Sequence, residues 1–228
     1  MLVQLPRLAL DLLFPLHCWG CQRQGKLLCE SCIPHLPRLE RPYCSLCAQP
    51  KAQTKCHWCA EAPLCVDGIR APFLMEGPVR DGVHSLKYRG VRAAAAELGS
   101  LMAQYQADQP VPGDVIVPVP LHRRRLRERG YNQSALLARE MSKLSGIPVD
   151  ERLLVRTKDT LPQVRAASRE QRRLNVEGSF QCPETVEGRA LILVDDVATT
   201  GSTLSACASA LKDRGAASVW GLVLAREG

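Results

Sequence analysis

At 228 residues the chain has room for one large or two modest domains, and its 46% hydrophobic content is enough to bury a core. Its 30 basic residues outnumber its 23 acidic ones, a formal +7 that points towards anionic partners. No stretch approaches the apolar length of a membrane span, and Met1 to Phe14 lacks the basic start of a secretory leader, so the expectation is a cytoplasmic protein.

Leu8, Leu12 and Leu13 outline a short amphipathic helix that packs against the body and stops at Pro15. Cysteine then takes over. Eight of the 11 cysteines fall in four Cys-x-x-Cys pairs, Cys18/Cys21, Cys29/Cys32, Cys44/Cys47 and Cys56/Cys59. Each pair offers two thiolates from one tight turn, and two pairs complete a tetrahedral Zn²⁺ site without an oxidising compartment. A redox pair would open a helix after a strand, whereas these lie among Gly20, Gly25, Pro34, Pro37, Pro42 and Pro50. The gaps within the two halves are seven residues (Gln22 to Leu28) and eight (Ala48 to Lys55), so sequential pairing gives a compact double zinc ribbon. Crossed pairing, first with third and second with fourth, closes longer loops, and spacing admits both. His17 and His57 flank ligand cysteines but are not needed where four cysteines serve each site. Cys65, Cys182 and Cys207 read as small buried apolar residues.

Zinc alters the charge argument. Eight thiolates subtract eight charges and two Zn²⁺ add four, which takes the formal +7 to +3. The basic character becomes local, in Arg123, Arg124, Arg125, Arg127 and Arg129, and again in Arg165, Arg169, Arg172 and Arg173.

Composition changes near Ala62 to Cys65, which divides the chain into a helix and double ribbon at 1–64 and a second domain at 65–228. Ile69 to Met75 reads as a strand confined to a sheet edge by Pro72. A short helix follows from Val79 to Tyr88, then a longer one carrying Val91, Ala94, Ala95, Leu98, Leu101, Met102 and Tyr105 at helical spacing. Strands are predicted near 114–118, 152–156, 190–195 and 217–225. The first runs into a proline-stiffened loop, the arginine run and a helix from Asn132 to Leu144. Thr157 to Phe180 is long, polar and rich in Arg and Gln, more like a lid than a plain connection, with a helix expected from Ser168 to Leu174 capped by Ser168 and Gln171.

The stretch Leu191 to Thr203 reads LILVDDVATTGST. Four apolar residues fit a strand buried on both faces, ending in Asp195 and Asp196 at the carboxyl edge, where open α/β sheets bind ligands. The small-residue turn that follows opens a helix; its hydroxyls and free N–H groups suit a phosphate, and the acids suit sugar hydroxyls or a divalent cation. If strands 114–118 and 190–194 are parallel neighbours, the two following loops open on the same side.

This last string resembles the PRPP-binding (5-phosphoribosyl 1-pyrophosphate) signature of the type I phosphoribosyltransferases. The resemblance implies that Asp195 and Asp196 face the ribose hydroxyls or its magnesium and that Ala198, Thr199, Thr200, Gly201, Ser202 and Thr203 wrap the 5-phosphate. Purine-salvage members carry an acid where this chain has Thr199, which argues against a purine acceptor. VPVPLHRRRLRERGYNQS and TKDTLPQVRAASREQRRLNVEGSF, with Leu86-Lys87-Tyr88-Arg89-Gly90 and the cysteine module, narrow the resemblance to the ComF/GntX family over nearly the whole chain. It implies an α/β fold, a type I phosphoribosyltransferase-like parallel sheet with an N-terminal double zinc ribbon. It also implies a pyrophosphate loop at Val119, Pro120, Leu121, His122 and Arg123, a mobile loop at Thr157 to Asn175, Zn and Mg as cofactors, and a role in DNA uptake or use. The partners expected are PRPP, single-stranded nucleic acid or the DNA-uptake machinery. The alternatives are a non-catalytic nucleic-acid-binding zinc-ribbon protein and a PRPP-sensing regulator. With the last strand so near the sequence end, a cover over a second substrate is expected from residues 60–90, the ribbons or Thr157 to Phe180.

Overall fold

The computed structural model describes residues 16–158 and 169–228. The amphipathic helix expected around Leu8 to Leu13 and the Ser168 cap lie outside them. The regular elements after the first ribbon are α1 (His57–Glu61), β1 (Gly68–Arg70), β2 (Phe73–Leu74), α2 (Gly77–Tyr88), α3 (Ala94–Asp108), β3 (Val115–Pro118), α4 (Arg123–Arg129), α5 (Gln133–Ser145), β4 (Val155–Arg156), α6 (Arg169–Val176), β5 (Phe180–Gln181), β6 (Ala190–Ala198), α7 (Ser202–Lys212) and β7 (Ser218–Arg226).

One parallel sheet organises the body, in the order β1, β7, β6, β3, with β2 also paired to β7. Pro72 has its expected effect: the segment from Ile69 splits into β1 and β2, both on the outer edge of β7. β3 and β6 are parallel neighbours, Val115 opposite Leu191 and Pro118 opposite Val194, so the loops after them open on one side. Leu191 to Val194 are fully buried because successive residues serve opposite faces. Ile192 and Val194 join the core under α2, α3 and α5, while Leu191 and Leu193 join the one under α7.

Three expectations are corrected. β6 does not end at its acids but runs on to Ala198, because β7 offers backbone partners as far as Arg226. The strand expected at 152–156 shrinks to β4, which pairs antiparallel with β5 outside the main sheet; the place beside β3 goes to Val149, through a single bridge to Ile116. Cys65 is exposed, its N–H donating to Ser205 Oγ at 2.9 Å, whereas Cys182 and Cys207 are buried as expected.

The ribbons sit on different faces. Cys18, Leu27 and Leu28 belong to the core of α2 and α3, where a Cβ on Gly82 would come within 2.9 Å of the Trp19 ring. Cys44, Cys47 and Cys59 belong to the core of Ile69, Leu204 and Cys207.

Candidate functional site

The metal sites come first in the chain. The eight paired cysteines form two groups, Cys18, Cys21, Cys29, Cys32 and Cys44, Cys47, Cys56, Cys59, with the sulfurs of each within 4.8 Å of one another. Pairing is therefore sequential. Closest separations of 3.6 Å, as between Cys18 and Cys29 or Cys47 and Cys56, fit the roughly 3.8 Å edge of a tetrahedron with Zn–S bonds of about 2.3 Å. Burial raises the Cys44 thiol pKa, but the N–H groups of Cys47, Cys56 and Leu46 outweigh it and bring it down to about 6, favouring the thiolate a metal needs. His57 is not a member of either group and faces Glu61 at 3.3 Å instead.

The second site lies at the carboxyl edge of β6 and β3. Asp195 Oδ1 accepts from Ser134 Oγ at 2.7 Å and from the Asp196 N–H at 2.9 Å. Asn132 aims Ser134 there: its side chain accepts from the Ser134 N–H to cap α5 and donates to the Val119 carbonyl at 3.0 Å, tying the cap to the β3 loop. Asp196 is buried, and its Oδ2 lies 3.0 Å from Lys87 Nζ, an ion pair off the hydrogen-bond axis. Burial and then the Asp196 charge push the Asp195 carboxyl up to about 7, against the pull of Ser134 and Lys87. Burial alone would lower the Lys87 pKa, but Asp196 and Asp195 outweigh it and raise it.

A cleft of about 190 Å³ over this edge is lined by the two acids, Lys87, the Val119 to Leu121 loop, Arg125, Arg129 and Arg156 among others. It continues into one of about 540 Å³ that shares Lys87, Tyr88, Arg125 and Arg129 and adds Glu128. The arginine run, expected as a loop, is the short helix α4, with His122 accepting from the Arg124 N–H at one end and Gly130 at φ +78° closing the other. Helical spacing separates its charges: Arg125 and Arg129 turn into the cleft, while Arg124 pairs with Glu128 at 2.9 Å outside it. His122 and Arg123, expected in the pyrophosphate loop, do not line the cleft; Val119, Pro120 and Leu121 do.

The turn after β6 is compact. Thr200 Oγ1 lies 2.7 Å from Ser202 Oγ and accepts from the Ser202 N–H at 3.2 Å, and Gly201 adopts φ +80°. Thr203 faces the carboxylate cleft, while Thr200 and Ser202 line a separate cavity of about 240 Å³ with Trp58, Leu64, Glu170 and Arg173. The second ribbon and α6 thus meet beside the turn. Of Thr157 to Phe180, residues 157–158 and 169–180 are described; the helix expected from Ser168 to Leu174 is present from Arg169 as α6, which continues to Val176.

Lys87, Ser134, Gln133 and Arg156 were not singled out as site residues by sequence, and Arg125 and Arg129 only as members of the arginine run. For Lys87 the available signal was its place in the Leu86 to Gly90 motif; for Ser134, the Asn132 capping position.

Residues 9–67 match the double zinc ribbon domain family and residues 132–228 the phosphoribosyl transferase domain family. The chain is 30% identical to the DNA utilization protein YhgH of Escherichia coli (strain K12) over 214 residues, 89% of this chain and 93% of that one. It is 28% identical to Competence protein ComFC of Bacillus subtilis (strain 168), over 87% of this chain and 84% of that one. Among solved structures, a glutamine phosphoribosylpyrophosphate amidotransferase from B. subtilis aligns with a TM-score of 0.40 at 24% identity; the match covers 58% of this chain and about a quarter, 26%, of that one. The sheet and cysteine groups make the architecture a type I phosphoribosyltransferase-like parallel sheet with an N-terminal double zinc ribbon. Among the described residues no helix is long and apolar enough to cross a membrane.

Proposed function

The chain belongs to the ComF/GntX family of DNA-utilisation and competence proteins, and we propose that within it this protein binds PRPP in the cleft at the carboxyl edge of β6. The observation that carries the reading is the convergence, in one cleft, of the carboxylate pair, Thr203 from the hydroxyl-rich turn that opens α7, and Arg125 and Arg129 of α4. Asp195 and Asp196 hold the ribose hydroxyls, and the turn from Ala198 to Thr203 receives the 5-phosphate on its N–H groups. The Val119 to Leu121 loop, Arg125 and Arg129 receive the pyrophosphate. His122 and Arg123 act from outside the cleft, setting the course of α4. A magnesium ion enters this reading only as a companion of the ligand's own pyrophosphate.

If an acceptor is present, the bond between the anomeric carbon and pyrophosphate breaks as the bond to the acceptor forms. Positive charge then develops at the sugar and negative charge on the leaving group, where Arg125 and Arg129 stabilise it. No residue of the cleft is assigned as a general base. Turnover distinguishes an enzyme from a PRPP sensor; the site is the same for both.

The experiment is calorimetry with PRPP on zinc-loaded wild type and on Asp195→Asn/Asp196→Asn. The swaps keep volume and remove charged acceptors worth about 1.5–3 kcal/mol per hydrogen bond, so binding should be abolished. Unchanged affinity in the double variant would remove the site from consideration. Binding to single-stranded DNA that falls steeply with salt and ignores PRPP would favour a nucleic-acid binder instead.

A further inference from the structure

We propose that Lys87 is the resident cation of the carboxylate pair and stands where a divalent ion would otherwise be held. The identity of the ligand rests on the phosphoribosyl reading above; the assignment of the cation does not.

The argument begins with the position of the ammonium. Lys87 is the penultimate residue of α2, whose apolar face of Val79, Val83 and Leu86 is fixed in the core. The Tyr131 hydroxyl donates to the Leu86 carbonyl and pins the helix end. The side chain therefore leaves a rigid base rather than a loop, and its Nζ meets Asp196 Oδ2 at 3.0 Å with only 21% of the Lys87 side chain exposed.

Asp196 needs that charge. Its side chain is 4% exposed, and among the described residues Oδ2 has no hydrogen-bond partner, so the ammonium is its compensation. Asp195 Oδ1 is already occupied by Ser134 and the Asp196 N–H. A magnesium ion requires near-octahedral oxygen ligation at about 2.0–2.1 Å, and to sit on this pair it would have to face or expel a lysine. The donor set does not fit a tightly held divalent ion. The surrounding charge agrees: Lys87, Arg125, Arg129 and Arg156 line the cleft with Asp195 and Asp196, leaving it cationic before any metal is added, with Glu128 in its extension. Such a cleft already suits a pyrophosphate.

The first test needs no organic ligand. Mn²⁺ is titrated into zinc-loaded full-length protein and followed by the loss of the free-ion electron paramagnetic resonance signal. Wild type and Lys87→Arg should bind it weakly, whereas Lys87→Met and Lys87→Gln should each gain a site roughly tenfold tighter or better, lost again when Asp195→Asn/Asp196→Asn is added. Circular dichroism melts identify variants that fold. Wild type holding Mn²⁺ as tightly as Lys87→Met would overturn the assignment.

The second test is PRPP calorimetry in buffer freed of magnesium by a resin, which leaves the protein's zinc in place, and again at saturating magnesium. Wild-type affinity should change by less than about twofold, and Lys87→Met should lose roughly tenfold without magnesium and recover part of it with the ion. A wild-type gain of about tenfold on adding magnesium would also overturn the proposal. Absence of PRPP binding in both buffers, with the Mn²⁺ pattern as expected, would defeat the PRPP reading while upholding Lys87 as the pair's cation.

Discussion

The two ribbons share a ligand set of two Cys-x-x-Cys pairs with four closely grouped sulfurs, yet they are wired to the body differently. The first meets it by packing, with Trp19 on Gly82 and Leu27 and Leu28 in the core of α2 and α3. The second is also hydrogen-bonded to the sheet: Leu46 accepts from the Ile69 N–H at 2.7 Å, Ser45 from Arg70 at 3.0 Å, and Cys47 from Arg226 Nε at 3.0 Å. Arg226, 1% exposed, also donates to the Ala198 carbonyl at 3.0 Å and to Gln49. One guanidinium thus joins a zinc knuckle to the residue from which the turn departs. Identical local chemistry can serve two ends, a domain held against a helical face and a brace for the turn after β6, and only the contacts outside the motif decide which.

The largest expected effect comes from breaking each ribbon in turn. Cys44→Ser and Cys18→Ser should each lose one of two zinc ions, read by elemental analysis, and each lower stability by about 4 kcal/mol or more, because metal binding and ribbon folding are one process. They should differ at the ligand site. PRPP affinity should collapse in Cys44→Ser and stay within about twofold in Cys18→Ser, a change of less than roughly half a kcal/mol. Equal losses of affinity would mean that the ribbons are equivalent. Against both, Cys207→Ser changes one atom in a core and should keep both metals.

A smaller effect is expected from cutting the brace alone. Arg226→Met keeps an apolar stem of similar reach but strands the Cys47 and Ala198 carbonyls and Gln49, at a cost of about 3 kcal/mol. Thermal unfolding measures that cost, and calorimetry should show weaker PRPP binding with both zinc ions retained. Trp19→Leu is the matched lesion on the first ribbon, expected to lower the melting temperature and leave affinity alone. If Arg226→Met loses stability but binds PRPP normally, the brace is structural and the ribbons differ only in how they attach.

What sequence could reveal follows from the range of the forces involved. The eight cysteines, the buried run Leu191 to Val194 and the stripe from Ala94 to Met102 are local signals, since spacing and periodicity carry them, and the structure has all three. The extension of β6 to Ala198 depends on where β7 ends, and the place beside β3 on a single bridge from Val149; neither is written in the segment concerned. α4 was missed as a helix because its seven residues are nearly all charged and present no apolar stripe, although Gly130 marked its end. Lys87 on Asp196 and Arg226 on Cys47 join residues far apart in sequence, and no motif spacing predicts such contacts.

The smallest effect sharpens the comparison most, because it separates the brace from the turn it supports. Gly201 has φ +80°, and a Cβ there would lie 2.7 Å from Leu64 Cδ1 and 3.0 Å from Ile69 Cδ1. Leu64 follows the second ribbon, so the turn rests on that ribbon's exit as well as on Arg226. In Gly201→Ala the Leu64 side chain can rotate away, which leaves chiefly the left-handed backbone cost of about 1 kcal/mol. Leu64→Ala removes the nearer obstacle but also apolar contact with the turn. If the obstruction matters, the double variant should be more stable than the sum of the single losses, by roughly 0.5 kcal/mol or more in a double-mutant cycle. Additive losses would show that backbone conformation alone dictates glycine. In that case the ribbon acts on the turn through Arg226, and Leu64 only fills space.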